Sequence, residues 1–279
     1  MTDVQVGSRT ERGRRRRRAA GWAAAGALGL APFLALGQVP DPVELMRRVQ
    51  RQDTAPDEQV QFLMQLINAS GQIRERTGTI YERQVSAGAV DEMRLIRYHT
   101  PADIKGSGVL TIEHPDRDND QWLYLPAYQA TRRIAPANRG DRYMGTDFLY
   151  EDIMREKIEH YRYRASGEDS VGGIHCVVLE AVAVAEQLAR ETAYSKKVIW
   201  VDPDRDLILR VEYYDREGRL FKRLTVTEVE TDAGRHRWRV VRMEDFVRHH
   251  ATIMRYHGRK IGAGVPERYF TEQYLKRGQ

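Results

Sequence analysis

Residues 207–230, LILRVEYYDREGRLFKRLTVTEVE, contain two strand-like segments that are separated by a short polar turn at 215–218. In the first segment apolar and polar residues alternate: Leu207, Leu209, Val211 and Tyr213 against Arg210 and Glu212. Because successive side chains of a strand point to opposite faces, this alternation predicts one buried face and one solvent-facing face. The stretch is therefore typical of an antiparallel β-hairpin.

Strand-like segments of this kind occupy most of the chain after residue 57, with polar turns such as Asp202-Pro203-Asp204 and Asp232-Ala233-Gly234 between them. The chain shows no strand–helix–strand alternation, and neither an internal repeat nor a linker divides it. These features predict a single mainly β domain, in which about eleven short antiparallel strands form a barrel or half-barrel. No strand is predicted between residues 134 and 174.

Three short helices are predicted beside these strands. The first begins at Asp41-Pro42-Val43-Glu44, where Asp is the N-cap, Pro is at N1 and Glu is at N3. Its apolar positions are Leu45, Met46 and Val49. The other two helices are predicted at residues 147–157 and 267–276.

The first 37 residues have the layout of an export signal. Residues 1–18 include seven arginines, residues 19–37 carry no charge, and Ala35-Leu36-Gly37 offers small residues for cleavage before Gln38. We therefore predict an export signal at 1–37 and a periplasmic domain at 38–279. An uncleaved membrane anchor is the alternative, and the Sec and twin-arginine export routes are both open.

The charge distribution argues against a nucleic-acid-binding protein. The net charge is +5, but residues 1–18 account for all of it, and the rest of the chain holds equal numbers of basic and acidic residues. A neutral folded domain lacks the basic surface that binding to phosphate backbones requires. We therefore expect no nucleic-acid partner.

The sequence also contains no recognisable catalytic or metal-binding motif. Phosphate-binding loops, nucleophile elbows and paired cysteines are all absent, and the acidic turns at 116–120 and 202–206 lack the later residues of a calcium loop. Cys176 is the only cysteine, and its apolar neighbours predict a buried strand position. We therefore predict no cofactor, no metal and no enzymatic activity.

Residues 121–155, QWLYLPAYQATRRIAPANRGDRYMGTDFLYEDIMR, have two interpretations. In the first they form a barrel strand, a hairpin and a helix that plugs the end of the barrel. In the second they form an apolar opening with arginines at its rim. Composition alone favours the structural plug.

The same stretch resembles the family of outer-membrane lipoprotein-sorting proteins, relatives of the periplasmic lipoprotein carrier LolA. The similar motifs include Asp103-Ile104-Lys105-Gly106, Trp122-Leu123-Tyr124-Leu125-Pro126, Arg132-Arg133-Ile134, Asn138-Arg139-Gly140-Asp141 and Met144-Gly145-Thr146-Asp147-Phe148. Tyr150-Glu151-Asp152, Trp200-Val201-Asp202, Glu212-Tyr213-Tyr214-Asp215 and Phe270-Thr271-Glu272-Gln273-Tyr274-Leu275 continue the likeness to the C-terminus.

The resemblance implies a LolA/LolB-like open half-barrel of about eleven strands, with short helices that cover its mouth. The implied function is a monomeric periplasmic carrier that takes up lipoprotein or lipid acyl chains and shuttles them between envelope membranes beside an RND-type transporter. We expect the acyl chains to contact a cavity and its lid: Phe62, Met64, Trp122, Tyr124, Met144, Phe148, Leu149 and Ile153. We expect four arginines to meet the head group at the rim: Arg132, Arg133, Arg139 and Arg142.

Two other functions are consistent with the sequence. The first is a non-carrying accessory subunit that docks on an envelope transporter, and a filled barrel would favour it. The second is a hydrolase that holds an acyl substrate in the same barrel and uses serine or carboxylate chemistry. Whether the segment 144–154 is a mobile lid or a fixed plug is left open by its composition.

Overall fold

Thirteen strands form one antiparallel sheet in the computed structural model, which describes residues 40–89 and 91–278. The strands are β1 Asp57–Ile67, β2 Ile73–Gln84, β3 Glu92–Thr100, β4 Gly108–Ile112, β5 Asp120–Leu125, β6 Ala130–Arg133, β7 Tyr161–Val171, β8 Ile174–Ala183, β9 Lys196–Asp202, β10 Leu207–Tyr214, β11 Leu220–Asp232, β12 Arg235–Asp245 and β13 His250–Ile261. The predicted export signal at 1–37 lies outside the described residues.

The order of strands in the sheet is β6-β5-β4-β3-β2-β1-β13-β12-β11-β10-β9-β8-β7. Two runs of consecutive hairpins are therefore joined by a single long-range pairing between β1 and β13, in which Phe62 lies opposite Tyr256. The sheet ends at β6 and β7 and does not close into a barrel. The predicted LolA-like open half-barrel is confirmed, with two strands more than expected.

β7 is a strand that the sequence analysis did not predict. Most of its side chains are exposed because it lies at the edge of the sheet and pairs only with β8. An edge strand of this kind has little apolar alternation, so its sequence contains no clear strand signal.

The N-terminal helix α1, Pro42–Asp53, begins as predicted. The carboxylate of Asp41 accepts a hydrogen bond from the backbone N–H of Glu44 at 2.8 Å. Leu45, Met46 and Val49 are buried against the sheet. Two further helices are α2 Glu186–Glu191 and α3 Glu272–Arg277. The helix predicted at 267–276 is divided into a 3-10 turn, Glu267–Tyr269, and α3, because Thr271 caps the second segment through the N–H of Tyr274.

The chain between β6 and β7, residues 134–160, crosses the concave face of the sheet, and we call it the strap. The helix that was predicted at 147–157 does not form. The strap has a single 3-10 turn in this range, Tyr150–Ile153. The backbone N–H groups of Tyr150 and Glu151 donate to the carbonyls of Asp141 and Arg139, both at 3.0 Å. These donors are therefore unavailable for an α-helix.

Two hydrophobic clusters lie on the opposite faces of the sheet. The larger one fills the concave face beneath α1 and the strap. The smaller one covers the outer face of β3–β5, where Leu95, Leu110 and Tyr124 pack against Phe270 and Leu275 of the C-terminal segment. No helix within residues 40–89 and 91–278 is long and apolar enough to cross a membrane.

Candidate functional site

A cavity of about 310 Å³ lies between the concave face of the sheet, α1 and the strap. Apolar side chains from all three parts line it: Met46 and Val49 of α1, Val60, Phe62, Met64, Ile80, Ile96, Leu224 and Met254 of the sheet, and Phe148 and Ile153 of the strap. These residues come from strands that are distant in sequence. Their convergence follows from the alternation of each strand and from the pairing of β1 with β13.

A second cavity of about 200 Å³ lies beside the first. Both cavities have lining residues in common, among them Met46, Asp152, Arg155 and Trp238. Since Asp152 and Arg155 belong to the strap, the strap borders both spaces, as do Met46 of α1 and Trp238 of β12.

Four of the eight residues predicted for the cavity line it: Phe62, Met64, Phe148 and Ile153. Leu149 is buried in the same hydrophobic cluster but does not reach the cavity. Met144 is half-buried, and its carbonyl accepts a hydrogen bond from Arg76 at 2.9 Å.

Trp122 and Tyr124 are placed on the outer face of the sheet, so their expected role in the cavity is not supported by their positions. Both pack in the smaller cluster, whereas Leu123 between them belongs to the concave cluster. Successive residues of a strand point to opposite faces, and aromatic composition alone did not reveal which face β5 turns inward.

The four predicted rim arginines are separated rather than gathered around one opening. Arg133 pairs with Asp120 at 2.5 Å, Arg142 with Asp245 at 2.9 Å, and Arg139 with Asp118 at 3.4 Å. Arg132 is exposed, with no ion pair to any described residue. Arg139 alone of the four lines a cavity, the smaller one. Three of these cations are therefore already neutralised by protein carboxylates.

Charged residues at one end of the larger cavity were missed by the sequence analysis. They are Glu58, Glu82, Arg94, Arg237 and Arg259. Arg94 pairs with Glu82 at 2.5 Å, and Arg237 pairs with Glu58 at 3.1 Å. The strand period could have found several of them, because Glu58 lies on the same face of β1 as Val60 and Phe62. The lining of the cavity thus combines apolar side chains with charged side chains that are paired with one another.

Arg155 attaches the strap to this group of charged residues. Its Nη2 atom lies 2.6 Å from Glu92 and 3.3 Å from Asp53 at the end of α1, and its Nη1 atom donates to Thr54 at 2.8 Å. Burial raises the pKa of Glu92 to about 8, although Arg155 opposes the shift. Burial also raises the pKa of Glu113 nearby.

Two buried lysines attach the middle of the strap to the sheet. Lys222 of β11 pairs with Asp152, and Lys197 of β9 pairs with Glu156. Tyrosines surround these ammonium groups, with Lys222 lying 4.6 Å from the ring centre of Tyr213. Burial lowers the pKa of Lys197 to about 8 and also lowers the pKa of Lys222.

The described residues contain no group of three or more His, Cys, Asp or Glu side chains that could hold a metal ion. Cys176 is completely buried in β8, as predicted, and burial raises the pKa of its thiol to about 11. Buried thiols of raised pKa are poor nucleophiles. The apolar part of the cavity lining offers a surface that an apolar ligand can contact.

Comparison with known proteins supports the same conclusion about the fold. A family profile described as "Uncharacterized protein" matches residues 90–277. A DUF1329 family protein from Desulfovibrio piger is 30% identical, with a TM-score of 0.78 over 84% of this chain and 99% of that one. A Vibrio parahaemolyticus domain named for outer membrane lipoprotein sorting is 27% identical, with a TM-score of 0.78 over 85% of this chain and 98% of its own.

A LolA superfamily protein from Nitrosomonas europaea shares 17% identity and has a TM-score of 0.66, covering 85% of this chain and 100% of that one. At this identity the likeness concerns the fold alone. A search of curated proteins found no match.

Proposed function

This chain belongs to the DUF1329 family and has a LolA-like fold, and from this we propose that it is a periplasmic carrier for the acyl chains of a lipid or lipoprotein. The observation that carries the proposal is the apolar cavity of about 310 Å³ beneath the strap. Its volume lies near the lower end of the roughly 300–1,000 Å³ that is typical of small-molecule sites.

The lining of the cavity suits a hydrocarbon chain. Phe62, Met64 and Phe148 offer apolar surface, and each buried CH₂ group contributes about 0.8 kcal/mol to the free energy of binding. Flexible methionines such as Met46 and Met254 adapt to chains of different shape. One extended acyl chain is the ligand that these features fit best.

A carrier must also release its ligand, and the strap provides a way to limit affinity. Displacement of residues 151–157 would join the two cavities and enlarge the binding space. This displacement has to break buried ion pairs. The free energy that this costs makes binding of the ligand weaker. We propose that the strap is a lid whose opening cost keeps binding reversible.

The cellular part of the proposal rests on the sequence motifs and on the names of the relatives. It comprises export directed by residues 1–37, a periplasmic carrier domain at 38–279, shuttling between envelope membranes and cooperation with an RND-type transporter. The carrier acts as a monomer and needs no catalytic step. None of the three neighbours described above is named as an enzyme.

One observation favours the alternative, a non-carrying accessory subunit. Buried ion pairs hold the strap at Asp152 and Glu156, and Arg155 contacts Glu92, as they would in a permanently filled barrel. In that case the cavities would be packing defects and the strap would never move. The two functions differ in whether the protein takes up lipid.

Native mass spectrometry of the protein purified from its own envelope, together with lipid extraction, tests the proposal. The expected result is a stoichiometric acylated lipid or lipoprotein. Val60→Phe should fill part of the cavity and reduce uptake of added lipid, because Val60 lines it. Val265→Phe is the matched control: Val265 has the same 3% exposure but belongs to the outer cluster.

Equal uptake by Val60→Phe, Val265→Phe and the unmodified protein would mean that this cavity is not the site. A protein that carries no lipid from the cell and takes up none from vesicles would instead support the accessory subunit.

A further inference from the structure

The two ends of the sheet differ in the chemistry of their turns. In an antiparallel sheet alternate turns lie at the same end. One end, which we call the upper rim, contains the connections 68–72, 101–107, 126–129, 184–195, 215–219 and 246–249. The other end, the lower rim, contains the turns 85–91, 113–119, 172–173, 203–206 and 233–234.

Large apolar side chains are exposed at the upper rim. They are Tyr128 at 76% exposure, Val247 at 72%, Ile73 at 55%, Val184 at 49%, Val182 at 38% and Phe246 at 37%. All six lie in these connections or within two residues of them, and within residues 40–89 and 91–278 no other large apolar side chain is as exposed. Single exposed apolar side chains are normal on a protein surface, so the notable feature is that all six lie at the same rim.

The charges of the two rims differ as well. The lower-rim turns contain six acidic residues and two arginines, whereas the upper-rim connections contain five acidic and five basic residues. Two of the exposed apolar side chains are followed in the sequence by an arginine: Arg74 follows Ile73, and Arg248 follows Val247. Arg74 and Lys105 at this rim form no ion pair with any described residue. The turns of the lower rim are thus net acidic, whereas the connections of the upper rim are neutral.

We infer that the upper rim docks on the surface of a phospholipid bilayer that contains anionic lipids. Single apolar side chains at loop tips can enter the interfacial region of a bilayer while neighbouring arginines contact phosphate groups. The exposed residues are distributed one or two to a turn, whereas a stable protein interface needs a contiguous patch with an apolar centre. A lipid surface, which adapts to separate tips, fits this distribution better than a protein partner does.

The docking surface adjoins the cover of the cavity. Strap residues Arg142 and Asp147 contact the β12–β13 hairpin, where Arg142 lies 2.9 Å from Asp245 and Asp147 lies 2.7 Å from His250. That hairpin carries the exposed tip at Val247. A protein docked in this way would bring the strap close to the membrane. The docking surface itself does not depend on whether the cavity takes up lipid.

The test compares two labelled positions on the full chain. Val247→Cys places an environment-sensitive fluorophore at the upper rim, and Asp204→Cys places the same fluorophore at the lower rim. Native Cys176 is completely buried, so the introduced thiol is the one that reacts. The probe surface is a protein-free vesicle of phosphatidylethanolamine and phosphatidylglycerol. Because both chains have the same N-terminus, any membrane affinity of residues 1–37 contributes equally to the partition of the two chains.

We expect vesicles to shield the label at position 247 from an aqueous quencher and to leave the label at position 204 accessible. Equal accessibility of the two labels would overturn the inference. Shielding of position 247 only by vesicles made from native envelope would also overturn it, because that result identifies a membrane protein as the partner.

A second variant measures the contribution of the tips. Replacement of Ile73, Tyr128 and Val247 together by serine should weaken partition of the full chain into these vesicles by roughly tenfold or more. All three side chains are more than half exposed, so the fold should be unaffected. Unchanged partition of the triple variant into the vesicles would contradict the assignment.

Discussion

The ammonium group of Lys222 on β11 forms an ion pair with the carboxylate of Asp152 in the strap, and both side chains are almost completely buried. Asp152 also accepts hydrogen bonds from the N–H of Leu149 at 2.6 Å and from the hydroxyl of Tyr194 at 2.5 Å. One carboxylate therefore joins the 3-10 turn of the strap to β11 and to the connection between β8 and β9. Removal of either charge would leave the other buried without compensation.

Lys222→Met should therefore destabilise the protein by about 3–5 kcal/mol, the usual cost of breaking a buried ion pair. Urea unfolding measures the effect. Arg190→Met is the control, because Arg190 and Glu186 form an exposed pair, at 74% and 81% side-chain exposure, whose loss should cost less than about 1 kcal/mol. Similar losses in the two variants would show that the strap is not held by Lys222.

The double variant Lys222→Met, Asp152→Asn should recover part of the lost stability, because it removes the uncompensated charge. If the strap is a lid, the single variant should also exchange lipid faster than the unmodified protein. Faster unfolding without faster lipid exchange would favour a fixed plug.

Stability should fall as the pH rises from about 5 to about 8, because burial raises the pKa of Glu92 from 4.5 to about 8. In this range the folded state binds a proton that the unfolded state has released, so the free energy of unfolding decreases with pH. The contribution of Glu92 is complete below its unfolded pKa and is lost as the pH passes its folded pKa.

Urea unfolding of the unmodified protein and of Glu92→Gln at several pH values measures this contribution. The glutamine variant should show a smaller decrease between pH 5 and pH 8. The same slope in both proteins would mean that Glu92 ionises normally beside Arg155.

Gly78→Ala should destabilise the protein by about 1–3 kcal/mol through overpacking. A Cβ atom at residue 78 would lie 2.4 Å from the carbonyl oxygen of Arg97 and 2.4 Å from the ring of Phe62, which lines the cavity. At Gly140 the nearest atom, the Cβ of Ala193, would be 3.4 Å away. Thermal unfolding should therefore show a large loss for Gly78→Ala and a small change for Gly140→Ala.

Cys176 should not react with thiol reagents in the folded protein at pH 8 and should react fully in denaturant. Its side chain is completely buried, and burial raises its pKa to about 11. Rapid labelling under native conditions would reveal frequent opening of β8, and it would also rule out the single-label comparison of the two rims.

Much of the fold could be predicted because its signals are local. The cap at Asp41 and the alternation at Leu207–Tyr214 both depend on residues that are close in sequence, and the structure contains both elements. β7 gave no such signal, because an edge strand with exposed side chains depends on main-chain pairing with β8. The predicted helix at 147–157 failed for a related reason, since hydrogen bonds to Asp141 and Arg139 replaced the helical ones.

The candidate site was predicted only in part. Phe62 and Met64 line the cavity for which they were predicted, because alternation along β1 distinguishes its two faces. Trp122 and Tyr124 were selected for their aromatic character, and the face of β5 on which they lie was not considered. The paired charges at Glu58, Arg94 and Arg237 escaped notice because each partner comes from a different strand.

By itself the sequence determined the period of the strands, the positions of most turns and the start of α1, because these depend on side-chain alternation and backbone conformation within a few residues. Only the tertiary structure decided that β1 pairs with β13, that the strap crosses the concave face and that apolar tips gather at one rim. Those features depend on contacts between residues up to about two hundred positions apart, such as Phe62 and Tyr256. Such contacts form when the whole chain buries its apolar surface, and no short segment specifies them.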